Sequence, residues 1–468
     1  MERIKKFIKS GFLVSPELSI DLIEDIDDFI NFLKENYKKG IVVTNEVLNS
    51  YLSFLSRRKR RKEIRILKNF EPKHKKVSVK DFVSLYNDRY NKIKEIMLQR
   101  IEAKSAISIA RALKSPSKDF FLIAMVREIN RGKWVRLKVE DPSGVARVLV
   151  KQNGKVEELV EDEVIGISCT KKDKTFFSEE IHFPDVPERG KKKFDEEVNL
   201  CFIADIHYGS KMFLKEEFSR FLKWINGKIG DQKQKELAEK VKYIFVVGDL
   251  VDGVGVYPEQ EKELEVKDIY QQYEGVAELL KEIPEEKKII IIPGNHDALR
   301  IAEPQPPLYV DLAKPIYELK NVISLSNPTM VNIEATENFE GFNILLYHGY
   351  SLDYFVANVP KLKKFGYERP DLLMEFLLKK RHLAPTHGST LLAPLPEDFL
   401  VIDKVPDIFV TAHIHKSGVS IYRNVLNICC SCWQGRTVFQ EKVGHVPEPA
   451  RVPVVNLKNL SVRLLKFI

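Results

Sequence analysis

The sequence contains few cysteines, and they are not arranged as a disulfide framework. There are five, an odd number, and three of them crowd into residues 429–432. A disulfide-stabilised domain needs paired and spaced cysteines, and a cysteine-rich zinc site needs two spaced pairs. The crowded cysteines instead indicate a buried strand end. This usage predicts a reducing, cytoplasmic setting.

Long apolar stretches are also missing. No hydrophobic run reaches the roughly 18 residues of a membrane helix, and no apolar core of a signal peptide follows the basic residues 1–10. We therefore expect no membrane association. The 468 residues, 44% hydrophobic and 30% charged, are typical of a folded chain of two or three domains. The net charge of +8 suits a polyanionic partner or simply an ordinary basic surface.

Four segments differ in residue pattern. Helical spacing predicts a small helical module over residues 1–56, and a basic run followed by Pro72 predicts a linker and helix over 57–116. Residues 117–190 contain five alternating segments with a short helix between the third and fourth, which predicts an OB-fold barrel. Residues 195–468 alternate short apolar strands with helices, which predicts a layered α/β domain.

The OB-fold segment leaves its ligand open. OB-folds bind single strands, but they also dock proteins. Only Trp134, Phe176 and Phe177 stand out as aromatic residues that could stack on bases. This small number favours a docking or structural role over direct DNA binding.

Five short polar motifs follow apolar strands of the α/β domain. Ligand sites in open α/β sheets form at the carboxyl ends of the strands, so we expect the motifs to meet. A lone histidine is more often structural than a ligand; the ordered set carries the argument. The motifs are Asp205-Ile206-His207, Gly248-Asp249-Leu250-Val251-Asp252, Gly294-Asn295-His296-Asp297, His348-Gly349 and His413-Ile414-His415.

The spacing within these motifs suits metal ions. Residues two apart in extended backbone point to the same side, so we expect Asp205 and His207 to reach one ion together, as His413 and His415 can if the ions are close. A carboxylate can bridge two cations, which suits Asp249. Imidazole with carboxylate favours manganese, iron or zinc over calcium. Two such ions can clamp the oxygens of a phosphoester and acidify a water.

Over residues 198–435 the ordered motifs resemble those of the calcineurin-like metallophosphoesterases. The resemblance implies two divalent metal ions, manganese first, with iron, zinc or magnesium as alternatives. It implies that His296 acts on the phosphate or the leaving oxygen, and that Asp252 and Asp297 orient the ligands. The implied ligands are Asp205, His207, Asp249 and His415 for the first ion, and Asp249, Asn295, His348 and His413 for the second.

A closer resemblance, over about residues 117–460, is to the small subunits of archaeal D-family DNA polymerases. It implies a 3′→5′ exonuclease that proofreads single-stranded or mismatched 3′ ends and pairs with a polymerase large subunit. A sliding clamp or primase would be further partners. One departure from the phosphoesterase pattern is Ala412, where most members have glycine, and a negative φ there would make it tolerable. The stretches that carry the resemblance are 253–265, 293–300, 303–306, 381–385 and 433–434.

Two other functions use the same features. A scaffold would hold the polymerase large subunit with catalysis secondary, but here every implied ligand position is filled, unlike in related eukaryotic subunits. A phosphatase or small-molecule phosphodiesterase would share the metal centre, but the OB-like segment argues against it. Outside the motifs, Arg300 and Arg381 could contact phosphates or form surface ion pairs. His382 and His387 are expected to be structural.

Overall fold

The structure of the protein is a computed structural model. The chain divides into two compact units, residues 1–65 with 332–342, and residues 66–331 with 343–468. No helix among the described residues is both long enough and apolar enough to cross a membrane. The structure describes residues 2–23, 25–59, 62–72, 77–442 and 444–468.

Strands and helices alternate along most of the described chain. The strands are β1 (Leu13–Val14), β2 (Val42–Val43), β3 (Lys62–Lys68), β4 (Asp119–Asn130), β5 (Trp134–Asp141), β6 (Gly144–Lys151), β7 (Val164–Lys172), β8 (Thr175–His182), β9 (Asn199–Ile203), β10 (Val241–Val247), β11 (Lys288–Ile292), β12 (Val322–Ser324), β13 (Thr329–Ala335), β14 (Phe342–Leu346), β15 (Ile408–Thr411), β16 (Gly418–Tyr422), β17 (Val425–Cys429), β18 (Arg451–Asn456) and β19 (Ser461–Lys466). The helices are α1 (Glu2–Lys9), α2 (Ile26–Asn36), α3 (Asn45–Lys59), α4 (Val79–Leu98), α5 (Ile109–Lys114), α6 (Lys215–Ile225), α7 (Gln232–Glu239), α8 (Ile269–Lys281), α9 (Val310–Tyr317), α10 (Leu352–Asn358), α11 (Pro360–Lys363), α12 (Pro370–Lys380) and α13 (Val438–Lys442).

The N-terminal segment is helical, as its apolar spacing predicts. Helix α2 begins after Asp25, whose side chain accepts hydrogen bonds from the backbone N–H groups of Asp27 and Asp28. Phe7, Phe29 and other apolar residues of this segment form their own buried core. A short parallel pair, β1 with β2, accompanies the helices and was not expected from the sequence.

Strands β4 to β8 close into a five-stranded barrel in the order β4-β5-β6-β8-β7, as expected of an OB-fold. Inward and outward side chains alternate along β5, where Val135, Leu137 and Val139 are buried. A single 3-10 turn, Val156–Glu158, separates the third barrel strand from the fourth. The five cysteines are all buried and unpaired, as the sequence predicts.

Two six-stranded sheets lie outside the barrel. The first has the order β12-β11-β10-β9-β18-β19, and the second has the order β16-β17-β15-β14-β13-β3. Strands β9 to β12 are parallel, and so are β14, β15 and β17. Strands β9 and β14 are buried along their whole length, which explains their continuous apolar sequence. The predicted layered α/β fold is confirmed.

The basic run near residue 60 corrects one expectation. The sequence predicts a linker there, but the chain from Lys62 forms β3, the edge strand of the second sheet. The side chain of Thr329 donates a hydrogen bond of 2.6 Å to the carbonyl of Lys68 at the end of this strand. The sequence KEIRILK of this strand is rich in charged residues. It therefore resembles a linker, although an edge strand can also carry charged side chains.

Replacing Phe176 by alanine tests the barrel. Phe176 is fully buried, and its ring meets Phe120 edge-on at 6.1 Å between centroids. Its loss should destabilise the barrel by about 3–5 kcal/mol, seen as a lower urea midpoint. The control is Phe177→Ala, because Phe177 faces outward and is only partly buried. Equal losses would contradict the inward and outward alternation.

Candidate metal centre

Every predicted ligand lies on a loop that follows the carboxyl end of a buried strand. The five strands belong to both sheets, and each motif begins within a few residues of the strand end. Because parallel strands of one sheet end at the same edge, their loops meet there. The loops carry Asp205 and His207 after β9, Asp249 after β10, Asn295 after β11, His348 after β14, and His413 and His415 after β15.

One cluster consists of Asp205, His207 and His415. Their ligand atoms all lie within 4.8 Å of one another. The Nε2 atoms of His207 and His415 are 3.2 Å apart, and Nε2 of His415 is 3.6 Å from Oδ1 of Asp205. Oδ1 of Asp205 is buried without a hydrogen-bond partner. A buried carboxylate oxygen left unpaired is costly, and a cation facing it would remove that cost.

A second cluster lies next to the first, and Asp249 lies between the two. It consists of Asp249, His348 and His413, and Asn295 joins it through an Oδ1 atom 3.0 Å from Nε2 of His348. Oδ2 of Asp249 lies 3.3 Å from Nε2 of His348 and 3.7 Å from Nε2 of His207. The structure thus brings all seven predicted ligands together, and their role as ligands remains a prediction.

The backbone of these loops is strained. Positive φ angles occur at Asp205 (49°), His207 (51°), Asp249 (49°), His413 (70°) and His415 (50°). Such left-handed conformations are uncommon outside glycine and cluster at functional sites. The expectation of extended backbone within these motifs is therefore wrong. The side chains converge because sharp left-handed turns, rather than strand alternation, direct them inward.

The glycine replacement at position 412 fits this backbone. Ala412 is buried, and its φ is not positive, in contrast to the next residue, His413. The added methyl group therefore carries no left-handed strain. An alanine is therefore tolerable at position 412, as expected for a residue without a positive φ.

Each imidazole of the two clusters turns one nitrogen toward the carboxylates and has the other held by a hydrogen bond. Such outer contacts fix the tautomer and orientation of histidines that bind metals. The sequence pointed to Asp252 for this task but not to the other partners. The pairs are His207 Nδ1 with Asp252 Oδ1 (3.0 Å), His348 Nδ1 with Val247 O (2.9 Å), His413 Nε2 with Asp353 Oδ2 (3.0 Å) and His415 Nδ1 with Gln440 Nε2 (2.9 Å).

Asp252 and Asp297 contact the loops and ligands that the sequence analysis expects them to orient, and their orienting role remains a prediction. The side chains of Gln434 and Gln260 donate to the two carboxylate oxygens of Asp252 at 2.9 and 3.1 Å. Asp297 accepts the backbone N–H of Gly294 at 2.8 Å, which fixes the loop that carries Asn295. Burial, and then the charge of Asp249, raises the pKa of Asp297 to about 7.

His296 lies beside the clusters without belonging to either set of predicted ligands. Its backbone N–H donates to Asp249 Oδ1 at 2.8 Å, and its Nδ1 lies 2.8 Å from the carbonyl of Asp252. The ring is 4.6 Å from that of His207 between centroids. Since a carbonyl only accepts, Nδ1 carries the proton and Nε2 remains for a ligand. Burial lowers the pKa of His296, which favours the neutral ring.

The electrostatics favour positive charge between the clusters. Burial by itself would raise the pKa of Asp249, but the neighbouring His348 and His296 hold it well below its usual value. Burial alone would lower the pKa of His348, whereas the charge of Asp249 raises it to about 10. A pocket that holds a proton so firmly on an imidazole also suits a cation. Carboxylate, imidazole and amide oxygen therefore fit a two-metal site.

Arg300 and Arg381, for which a phosphate contact or a surface ion pair was expected, both make packing contacts inside the protein. Arg381 is buried and donates to the carbonyls of Ile402 (2.7 Å) and Asp403 (2.8 Å), so the expected phosphate contact or surface ion pair is wrong for it. Arg300 is half-buried, stacked over the ring of Phe70 at 4.7 Å, and its guanidinium donates to Pro304. Both arginines serve the packing of loops.

Two histidines outside the motifs, His382 and His387, are held by hydrogen bonds, as expected of structural residues. Nε2 of His382 lies 3.0 Å from Oδ2 of the buried Asp398, and Nδ1 of His387 lies 2.9 Å from the hydroxyl of Tyr86. Burial, and then the nearby charge of Arg89, lowers the pKa of His382 to about 4. The ring is therefore neutral in the folded protein above that pH.

The fold and this site define a calcineurin-like phosphoesterase, and residues 198–417 match that family. The chain is 36% identical to the DNA polymerase II small subunit of Archaeoglobus fulgidus, over 98% of this chain and 96% of that protein. It is 36% identical to the DNA polymerase II small subunit of Methanothermobacter thermautotrophicus, over 100% and 99% of the two chains. The protein of the same name in Halobacterium salinarum is 40% identical over 83% of this chain and 75% of its own. The chain belongs to the family of DNA polymerase II small subunits.

Replacing Gly294 by alanine should disable metal binding without unfolding the chain. A Cβ atom there would lie 2.2 Å from Oδ1 of Asp249 and 2.5 Å from its backbone nitrogen. Displacement of the shared carboxylate should weaken manganese affinity at least about tenfold, measured by calorimetric titration. Gly154→Ala, at a site with no atoms within 4 Å, is the control. Unchanged affinity in Gly294→Ala would contradict a shared Asp249.

Asp353 offers a test of the second cluster alone. Its carboxylate accepts from His413 and also from the hydroxyl of Tyr367 at 2.9 Å. Asp353→Asn should weaken one of two manganese equivalents about tenfold and leave the other unchanged. Asp371→Asn, which removes a carboxylate paired with Arg369, should change neither. A loss of both equivalents together would mean that the ions are not held separately.

Proposed function

We propose that this chain is the 3′→5′ exonuclease subunit of a DNA polymerase, hydrolysing DNA phosphodiesters with two divalent ions and pairing with a polymerase large subunit. One observation carries the proposal: six potential ligands from four other loops surround Asp249, with His296 beside them. The relatives are named as small subunits of DNA polymerase II, and that name supports the large-subunit partner. The proposal fits the phosphoesterase class of the domain.

The ligand set divides between two ions. Asp205, His207 and His415 would hold one, with Asn295, His348 and His413 holding the other, and Asp249 touching both. When bound, the ions would supply positive charge that polarises the phosphodiester and lowers the pKa of water. Manganese is the ion that we favour, because imidazoles, carboxylates and one amide oxygen suit it; iron, zinc and magnesium remain alternatives.

His296 would handle the proton. Its Nδ1–H is held by the carbonyl of Asp252, so only Nε2 faces an incoming phosphate. The neutral ring that burial favours would gain a proton when an anionic phosphate lies beside it. The ring can then donate that proton to the leaving oxygen of the sugar. Asp252 therefore orients two histidines at once, through its carboxylate and its carbonyl.

Replacing His296 by alanine tests this function. The variant should lose at least about a hundredfold in nucleotide release from single-stranded or mismatched DNA with manganese. Its metal content should stay unchanged, because His296 is not among the proposed ligands. His387→Ala, which removes a histidine bonded to Tyr86, is the control and should keep full activity. Labelling each strand end in turn gives the polarity, and release from the 5′ end would refute the proposal.

The same variant separates an enzyme from a scaffold. His296→Ala should still co-purify with the polymerase large subunit, because the change removes no surface needed for assembly. The assembled polymerase should then copy DNA with more errors than the wild-type complex. Unchanged fidelity would favour the scaffold, and hydrolysis of nitrophenyl phosphate esters without DNA cleavage would favour a small-molecule phosphodiesterase.

A further inference from the structure

The outward face of the barrel combines aromatic and cationic side chains. Strands β5, β6 and β8 lie side by side, and their inward residues, such as Val135, Val148 and Phe176, are buried. The outward residues form cross-strand rows. The rows are Trp134 with Lys151, Arg136 with Leu149 and Phe177, and Lys138 with Arg147 and Thr175. We call these side chains the barrel face.

Aromatic surface on the barrel face is open to solvent. Trp134 is 40% exposed, and the ammonium group of Lys151 lies over its ring, 5.9 Å from the centroid. Phe177 is partly exposed. Of the aromatic residues singled out in the sequence, only Phe176 is used in the core. The exposed surfaces of Trp134 and Phe177 are therefore open to contacts outside the chain.

The charges of the barrel face are not balanced. Lys138 and Arg147 stand directly opposite each other, an arrangement of like charges that destabilises a sheet. Two nearby acidic residues are already paired, Glu128 with Lys138 at 2.7 Å and Glu140 with Arg127 at 3.1 Å, and Glu179 accepts a hydrogen bond from the hydroxyl of Thr170. Arg136, Arg147 and Lys151 are exposed, and no ion pair forms on them within the part of the chain that the structure describes.

We propose that the barrel face binds single-stranded DNA, a role that rests on the exposed Trp134 and Phe177 and on the cations between them. Cations in register along two strands suit a chain of phosphates, and aromatic rings between them suit unpaired bases. A duplex hides its bases, and an acidic peptide has no planar bases to stack. Strands β5 and β6 are the second and third barrel strands, the side on which OB-folds bind oligonucleotides. The choice of DNA over RNA rests on the proposed function.

The test measures binding without catalysis. The full-length chain is titrated onto a fluorescent oligothymidylate in EDTA, and anisotropy is followed at 50 to 200 mM salt. Arg136→Glu with Arg147→Glu should weaken binding at least about tenfold and reduce the slope of log affinity against log salt by about 1.4, since each phosphate contact contributes roughly 0.7 for a single strand. Trp134→Ala should weaken binding at least about fivefold, whereas Trp134→Phe keeps most of it.

The controls keep the outcome decisive. Lys233→Glu with Lys235→Glu makes the same charge change on exposed positions of α7 and should leave the salt slope unchanged. Wild-type affinity in the barrel-face variants would overturn the proposal. So would normal DNA binding with loss of the large subunit, because the face would then dock protein. Tighter binding to oligouridylate would overturn the choice of DNA. If an oligonucleotide binds at the barrel face but loses no nucleotides in manganese, the proposed exonuclease activity is refuted. The proposed DNA binding by the barrel face is then still supported.

Discussion

The buried carboxylate of Asp249 is the group on which the rest of the site depends. It lies between the two clusters, within 3.3 Å of one imidazole and 3.7 Å of another. Its burial would be costly if it were unpaired, so the surrounding groups are arranged to hold its charge. His296 contributes a backbone N–H, and Gly294 leaves room where any Cβ would collide with it.

This arrangement is made at the expense of backbone strain. Asp205, His207, Asp249, His413 and His415 each adopt a left-handed φ, which costs on the order of 1–3 kcal/mol per residue. The two sheets provide the rigidity that holds such turns, because nearly every residue of the strands before them is buried. Strain of this kind persists only where the surrounding packing leaves the loop no alternative.

Buried ion pairs link the barrel and helix α4 to the phosphoesterase domain. Lys380 on α12 pairs with Glu163 at 2.7 Å, and both side chains are almost completely buried. Arg89 on α4 pairs with Asp398 at 2.8 Å in a similarly buried position. Buried ion pairs contribute little net stability, but removing one partner is costly. The Lys380–Glu163 pair holds the barrel beside α12, and the Arg89–Asp398 pair holds α4 beside the loop that carries Asp398.

The strands and the convergence of their loops were predictable from sequence, because each strand is a short apolar run and each loop carries a polar motif directly after it. Strands β11 and β15 coincide with short apolar runs of the sequence, and each is followed by a motif. The left-handed turns were not predictable, since Asp and His occur in either conformation. Asp353 and Gln440 left no signal, because a polar residue on a helix has the same pattern whether it faces water or a histidine. Arg381 was misread for the same reason.

Under the proposed function, phosphodiester hydrolysis and affinity for the DNA strand depend on different parts of the chain. The two clusters engage only the phosphate that is cleaved, and they would do so for any phosphodiester. Discrimination in favour of a nucleic-acid strand must therefore come from contacts with nucleotides that do not react. The proposed binding at the barrel face would supply such contacts through cations and rings rather than base-specific hydrogen bonds, and it would hold strands of different sequence alike. A proofreading enzyme needs that tolerance, because the base it removes differs from one error to the next.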